Sequence, residues 1–270
     1  SIKLILLNAR ITKKSFKRWK RFGSTAKKLF QKFDICLASS AETVKYLKSL
    51  GAKKIKYIGN LKFSQIENET NKLNYKTKKY ILSKKTWCAA STHNTEEVLC
   101  ATLHKKLKIK YKKLLTIIIP RHVERTKEII SQIKKLDLKI HIHSSGKIIQ
   151  NDTDIYLVDS YGKTKSFFKI CKTVFLGGSY IQHGGQNPIE AARYGCTILH
   201  GKNTWNFKEV YSLLNRYNVT NKINNLNQMK NCLDNIFSKK HVSKNIKNKI
   251  DNLGDKILNT TLKEIESFII

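Results

Sequence analysis

The sequence predicts a parallel, doubly wound α/β sheet, and three observations carry that reading. Short runs rich in Ile, Leu and Val alternate with Lys-rich stretches of helical length throughout the chain, and strands alternating with helices build parallel sheets. Length and composition (270 residues, 40% hydrophobic, 9% aromatic) suffice for two modest domains, or one large one, with a real core. One strand-like run ends in a glycine-rich turn that opens a helix, at the edge where open α/β folds hold ligands.

From the first residue, "IKLILLNAR" reads as a strand and leads into a basic helical stretch from about Thr12 to Phe33. "DICLASS" is the next strand, and "AETVKYLKSLGA" a helix closed by Gly51 at its C′ position. "KIKYIGN" is a third strand. Residues 64–80, polar and rich in Asn and Lys, read as a linker between a first domain over 1–63 and a second over 81–270. The alternation then resumes. "TWCAAS" is a strand, and "NTEEVLCATLHKKLK" a helix with an Asn94/Glu97 capping box. "KLLTIIIP" and "VERTKEIISQIKKL" form the next strand and helix; "KIHIHSS" and "DIYLVDS" are strands, and "TKSFFKIC" a short helix. "TVFLGGS" is a strand, "NPIEAARY" a helix stopped by Gly195, and "CTILHG" a strand; from about Phe207 the chain is largely helical.

No apolar run reaches the ~18 residues of a membrane-spanning helix, and no signal peptide is expected from the opening residues. The chain opens on "SIKLILL", as if inside a strand, so an N-terminal part is expected to precede it. Six scattered cysteines without a C-x-x-C pair argue against a zinc knuckle and fit reduced thiols. The formal charge of +34 admits two accounts. One is attraction to an anionic partner: nucleic acid, anionic lipid or a phosphorylated substrate. The other is compositional drift, since 46 of the 53 basic residues are Lys, spread along the chain, whereas phosphate readers favour Arg forks.

Residues 177–196, "GGSYIQHGGQNPIEAARYGC", hold five of the twelve glycines and one of the two prolines. Glycine serves where the backbone takes positive φ or something approaches closely. Asn187 as N-cap and Pro188 at the first helical position place Glu190 third, and the start of that helix suits an anion such as phosphate. Glu190 is either the reciprocal partner of a capping box or a carboxylate that accepts hydrogen bonds from sugar hydroxyls. Three more loops reach the same edge. "IIIPRHVER" brings Pro120, Arg121 and His122, and Arg121 can fork onto a phosphate or a base carbonyl. "AASTHNTEE" brings Ser91, Thr92 and His93, which helix capping alone would explain. "VDSYGKTKS" is the fourth. No G-x-G-x-x-G follows a strand, "GKT" at Gly162 lacks the upstream glycine of a P-loop, and no G-x-S-x-G elbow is present. His141 and His143 share a strand face and read as a packed or exposed pair.

"NARITKKS", "GNLKF", "AASTHNTEE", "PRHVER", "VDSYGK" and "FLGGSYIQHGGQNPIEAA", in this order and followed by "NTWNFKEV", resemble the 3-deoxy-D-manno-octulosonic acid (Kdo) transferases of lipopolysaccharide synthesis. The resemblance runs from Leu6 to about Val210. It implies a GT-B glycosyltransferase, with two Rossmann-like doubly wound domains and the nucleotide-sugar held by the C-terminal one. It implies inverting transfer of Kdo from CMP-Kdo to the lipid A precursor (lipid IVA), with no bound metal and no further cofactor. It also implies residence at the cytoplasmic face of the bacterial inner membrane, against an anionic membrane surface, without nucleic acid as a partner. The family's CMP contacts map onto Pro120 and Arg121, onto Tyr161, Gly162 and Lys163, and onto Asn187, Pro188, Ile189 and Glu190.

Three positions depart from the family pattern: Lys163 stands at a usual acid, Thr95 at a usual glycine, and Ser64 at a usual Asp. The family's general base, a Glu, and its membrane-anchoring segment are expected upstream of Ser1. On that expectation residues 1–63 are the end of the acceptor-side domain, 81–270 are the complete donor-binding domain, no catalytic residue lies in this chain, and the polypeptide alone transfers nothing. Two rival readings remain: a GT-B enzyme using a UDP- or GDP-sugar, and a basic nucleic-acid-binding protein, the latter without a recognisable motif or Arg/aromatic patch.

Overall fold

The computed structural model describes residues 2–64, 73–238 and 243–269. The chain divides into two compact units, Ser1–Glu67 with Lys249–Ile270, and Asn68–Asn248.

In the first unit, three parallel strands, β1 (Ile5–Ala9), β2 (Ile35–Ala38) and β3 (Ile55–Tyr57), lie side by side in that order. The basic stretch after β1 is two helices rather than the expected one, α1 (Lys13–Arg21) and α2 (Gly23–Phe30). Gly23, at φ 46°, leaves the helical region and breaks the run. Thr12 caps α1, its hydroxyl oxygen accepting from the Ser15 amide at 3.2 Å. Helix α3 (Ala41–Ser49) starts from Ser40, whose hydroxyl oxygen accepts from the Thr43 amide at 3.0 Å, and ends before Gly51 at φ 90°, as expected. Ala26, Phe30, Leu47 and Leu50 close over Cys36 and Ala38 of the central strand.

The second unit opens with α4 (Tyr75–Leu82), which occupies the end of the expected linker; residues 65–72 of that linker lie outside the described residues. Then follow β4 (Lys85–Thr92), α5 (Glu96–Lys108), β5 (Leu114–Pro120), α6 (Thr126–Lys134), β6 (Ile140–Ile142), β7 (Ile155–Leu157), α7 (Thr164–Phe168) and β8 (Thr173–Leu176). The rest is α8 (Ile189–Arg193), β9 (Thr197–His200), α9 (Lys208–Arg216), β10 (Thr220–Lys222) and α10 (Leu226–Ser238). The strands form one seven-stranded sheet in the order β10-β9-β8-β4-β5-β7-β6, parallel throughout. Strand β10 was not expected: "TNK" carries no apolar signal, and only its pairing with β9 makes it an edge strand.

Strand β5 is buried along its whole length. Trp87, Ala89, Ile118, Leu157, Phe175 and Leu199 from five strands pack with Leu103 and Leu107 of α5 and Ile129 and Ile133 of α6. Each such large side chain, fully buried, contributes ~1.5–3 kcal/mol. The order places β4, the first strand of this unit, between β5 and β8. Its successors lead off to one side and then to the other, so the carboxyl ends of β4 and β8 flank the switch point where such sheets form a crevice.

The last helix, α11 (Ser243–Ile269), corrects the domain boundary read from the sequence. Residues 249–270 belong to the first unit and not to the second. Gly254 lies so close to Phe63 that a Cβ there would overlap the Phe63 carbonyl, Ile257 packs on Gly59, and Glu264 pairs with Lys56 at 2.5 Å. An amphipathic helix far along the chain gives no sign in sequence of which sheet it covers. No helix among the described residues is long and apolar enough to cross a membrane.

Candidate functional site

Strands β4 and β8 pair as far as Ala90 and Leu176, and the Gly177 amide adds a last bond to the Ala90 carbonyl at 2.9 Å. Beyond that the two chains turn apart into loops. Gly177 is a point of close approach: a Cβ would overlap the carbonyl oxygen of Ser91 and the Cα of Thr92. Gly184 takes φ 101°, and a Cβ there would run into the Asn206 side chain. The glycines of this stretch are therefore needed for backbone fit at the crevice, as expected.

The first carboxylate of α5 joins the two loops. Glu96 is fully buried; its Oε2 accepts from the amides of His93 (3.0 Å) and Gly178 (2.7 Å), and its Oε1 from the amide of Tyr180 (3.0 Å). Burial raises its pKa, and the three amide bonds work the other way. This corrects the expected Asn94/Glu97 box. Thr95, in the left-handed region at φ 75°, precedes the helix, and Glu96 rather than Glu97 reaches back. Glu97 instead accepts from Arg125 at 3.0 Å, and Arg125 also holds Glu128 and the Asn94 side chain.

His93 is buried just beyond the end of β4. Its ring is 4.1 Å from the ring of His183 and 5.7 Å, edge-on, from that of His122, and its Nε2 is 3.1 Å from Nε2 of Gln186. Burial, then the nearby His183, His122, Arg121 and Arg125, pushes its pKa down to about 4, so the ring is neutral at pH 7. His93 does not cap the helix with its side chain, as strand-end capping would have it; its ring fills the crevice wall.

The residues expected at the site fall on three adjoining loops. Pro120 ends β5, buried, and Arg121 beyond it is exposed, its amide donating to the Thr92 carbonyl at 2.9 Å. Tyr161 is exposed and its hydroxyl donates to Glu124 of the Arg121 loop at 3.0 Å; Glu124 also pairs with His122 at 3.2 Å. Gly162 takes φ 77°, and Lys163 directly precedes α7. Lys165 in the first turn of α7 pairs with Glu190 at 3.5 Å. Asn187 accepts from the Ile189 amide at 3.2 Å, an Asx turn that sets the entry to α8 one residue later than expected. Pro188 is thus the residue before the helix, Ile189 the first in it, and Glu190 the second.

Sequence reasoning passed over Glu96, His183, Gln186 and the neutral state of His93. The signal was present in "STHNTEE" and "IQHGGQ", but only the β4–β8 adjacency brings these segments together. His141 and His143 are a packed pair, as expected: His141 stacks on Tyr156, and His143 Nδ1 is 2.8 Å from the Tyr156 hydroxyl. Among the described residues no group of three His, Cys, Asp or Glu side chains could hold a metal ion.

Residues 1–65 match the family model of 3-deoxy-D-manno-octulosonic-acid transferase (kdotransferase). A 3-deoxy-D-manno-octulosonic acid transferase of Haemophilus influenzae is 28% identical over 218 residues, 79% of this chain and 51% of its own length. One of Rickettsia felis is 32% identical over 74% of this chain and 43% of its own. The chain spans about half the length of the curated relatives it matches. Among solved structures, the C-terminal CMP-Kdo binding domain of WaaA from Acinetobacter baumannii superposes with a TM-score of 0.59 at 24% identity, over 66% of this chain and 91% of that domain. A Staphylococcus aureus MnaA–UDP co-structure gives 0.55 at 13% identity, over 99% of this chain and 70% of its own. The architecture is of the GT-B type.

Proposed function

We propose that the chain, which matches the Kdo transferase family model over residues 1–65 and is similar to curated Kdo transferases over most of its length, serves in the inverting transfer of Kdo from CMP-Kdo to the lipid A precursor, its second unit binding the donor. The observation that carries this reading is the convergence of the loops after β4, β5, β7 and β8 at one edge, on the switch point of the sheet. Arg121, exposed at the end of β5, is assigned to the CMP phosphate or base. Pro120, Tyr161, Gly162 and Lys163 shape the neighbouring wall, and Asn187, Pro188 and Ile189 present Glu190 to the ribose hydroxyls. Lys163, a cation where the family usually has an acid, adds attraction for the donor's phosphate or carboxylate.

We assign no general base to these residues. Each acid on the four loops has a partner: Glu96 three amides, Glu97 Arg125, Glu124 Tyr161 and His122, Asp159 the Ser144 amide, Glu190 Lys165. A base must lie within hydrogen-bond reach of the acceptor hydroxyl and accept its proton, so residues 1–270 are expected to bind CMP without transferring Kdo. We further propose that the protein works at the cytoplasmic face of the inner membrane, the charge of +34 drawing it to anionic lipid. Calorimetry with CMP, UDP and GDP tests the donor assignment. Preference for CMP supports it; preference for UDP or GDP moves the chain to another GT-B donor class.

A further inference from the structure

We infer that Glu96 is a positioning residue that fixes both crevice loops in one arrangement through a carboxylate shared by their main-chain N–H groups. β4–β8 pairing does not join these loops to each other, since its last bond is from Gly177 to Ala90. Beyond it, the amides of His93, Gly178 and Tyr180 converge on the two oxygens of one buried side chain, from positions 82 and 84 residues apart in sequence for the second and third. Oε2 alone spans the loops, taking His93 from one and Gly178 from the other.

The bonds close a circuit. Gly178 offers its carbonyl to the Gly185 amide at 2.7 Å, Gln186 follows, and its side chain meets His93 Nε2 at 3.1 Å. His93 returns to Glu96 through its own amide. The circuit seats the His93 ring against His183 and beside the loop that leads to Asn187 and Glu190. Three donors aimed at two oxygens require a group that only accepts. Gln in this place would turn N–H hydrogens toward an amide, and Asp would be too short to span the loops. Hydrogen bonds to a buried charged acceptor are also the stronger kind.

The test is Glu96→Gln in the 270-residue chain, read in two ways. The first is the titration of the His93 imidazole by NMR, where the facing groups are His183, His122, Arg121, Arg125 and Gln186. The second, which alone rests on the proposed donor site, is CMP affinity by calorimetry. Positioning predicts that His93 titrates nearer the ordinary imidazole range instead of at about 4, and that CMP affinity falls about tenfold or more, or ~1.4 kcal/mol. A folded variant that melts lower but keeps both values overturns the inference and leaves Glu96 a packing residue. Should the parent chain not bind CMP, the donor reading fails while the titration still decides this one. Should the variant not fold, hydrogen exchange of the parent decides: Gly178 and Tyr180 amides as slow as those of β8 uphold the clasp, and exchange at open-loop rates removes it.

Discussion

The seven-stranded sheet buries Asp154 at its amino edge and Glu96 at its carboxyl edge, and the two are held differently. At the amino edge, Asp154 precedes β7 and accepts from His104 Nε2 at 3.2 Å, from the Lys139 amide at 2.9 Å and from Lys108. Burial opposes its ionisation, yet these bonds prevail and hold its carboxyl at about 2. At the carboxyl edge, Glu96 takes only main-chain amides, and burial pushes its pKa up. Asp154 is held by side chains as well as an amide. Glu96 is held by neutral main-chain donors alone, next to the Glu97–Arg125 pair, with Arg121 exposed to solvent at the same edge. The difference separates a carboxylate that serves stability from one that serves the form of a site.

The sharpest way to break this contrast is Asp154→Ala. His104 is fully buried and Asp154 nearly so, and removing the carboxylate leaves the His104 ring and the Lys139 amide without their acceptor, at about 1–3 kcal/mol for each buried group left unsatisfied. Urea denaturation should show that loss while CMP affinity stays unchanged. A variant of normal stability would show that Thr116, on the other nitrogen of His104 at 2.9 Å, satisfies the ring by itself.

The carboxyl edge should answer in the opposite sense. Arg121→Ala is expected to weaken CMP binding by ~1.5–3 kcal/mol, the worth of a charged hydrogen-bond partner, with no change in unfolding because the side chain is exposed. Unaltered affinity by calorimetry would take Arg121 out of the site. Glu190→Gln should have a smaller effect of the same kind, about 1 kcal/mol on CMP binding, at near-parental melting temperature. Loss of stability with affinity retained would make Glu190 a helix-capping residue instead.

Acid should separate the edges in order. The folded pKa of His93 is about 4 against an ordinary 6.5, so between those values the unfolded chain binds more protons and stability falls as pH falls. Asp154, depressed to about 2 from 3.8, contributes stability that is lost only as pH drops through that lower window. Denaturant midpoints should therefore decline first between pH 6.5 and 4, then again below 3.8. His93→Gln should flatten the first decline. It should not abolish it, because burial also lowers the pKa of His141, His143 and His200. A first decline of unchanged steepness would mean that His93 is protonated in the folded chain.

What the sequence disclosed follows the same division. The apolar runs located β1 to β9 because burial is written into residue type, and the glycines at positions 177–185 marked the crevice because no other residue fits. The three loops carrying Arg121, Tyr161 and Glu190 were legible as strand ends. Glu96 was not, since a buried carboxylate looks in sequence like any first-turn acid, and the wrong member of the Glu96–Glu97 pair was assigned to the cap. Nor could β10 be seen, where pairing rather than composition makes the strand, nor the return of residues 249–270 to the first unit.

The smallest expected effect tests whether the carboxyl edge gives up stability for its shape. Thr95 is exposed and stands between the His93 loop and α5 at φ 75°, ψ −28°. Its amide is held by the Asn94 side chain at 2.9 Å, and its carbonyl takes the Leu99 amide at 3.0 Å, so the turn is fixed on both sides. The left-handed region penalises a residue with a Cβ by roughly 1–2 kcal/mol, and β-branching makes Thr a poor occupant. Glycine is free of that strain but loses more backbone entropy on folding, about 0.5–1 kcal/mol. The balance favours Thr95→Gly by ~0.5–1 kcal/mol, which in a chain of this size raises the melting temperature by about 1–4 °C. Thr95→Ala keeps the Cβ and should gain little. If calorimetric melting of Thr95→Gly matches or falls below that of the parent, the strain is not present, and the edge holds its shape at no expense.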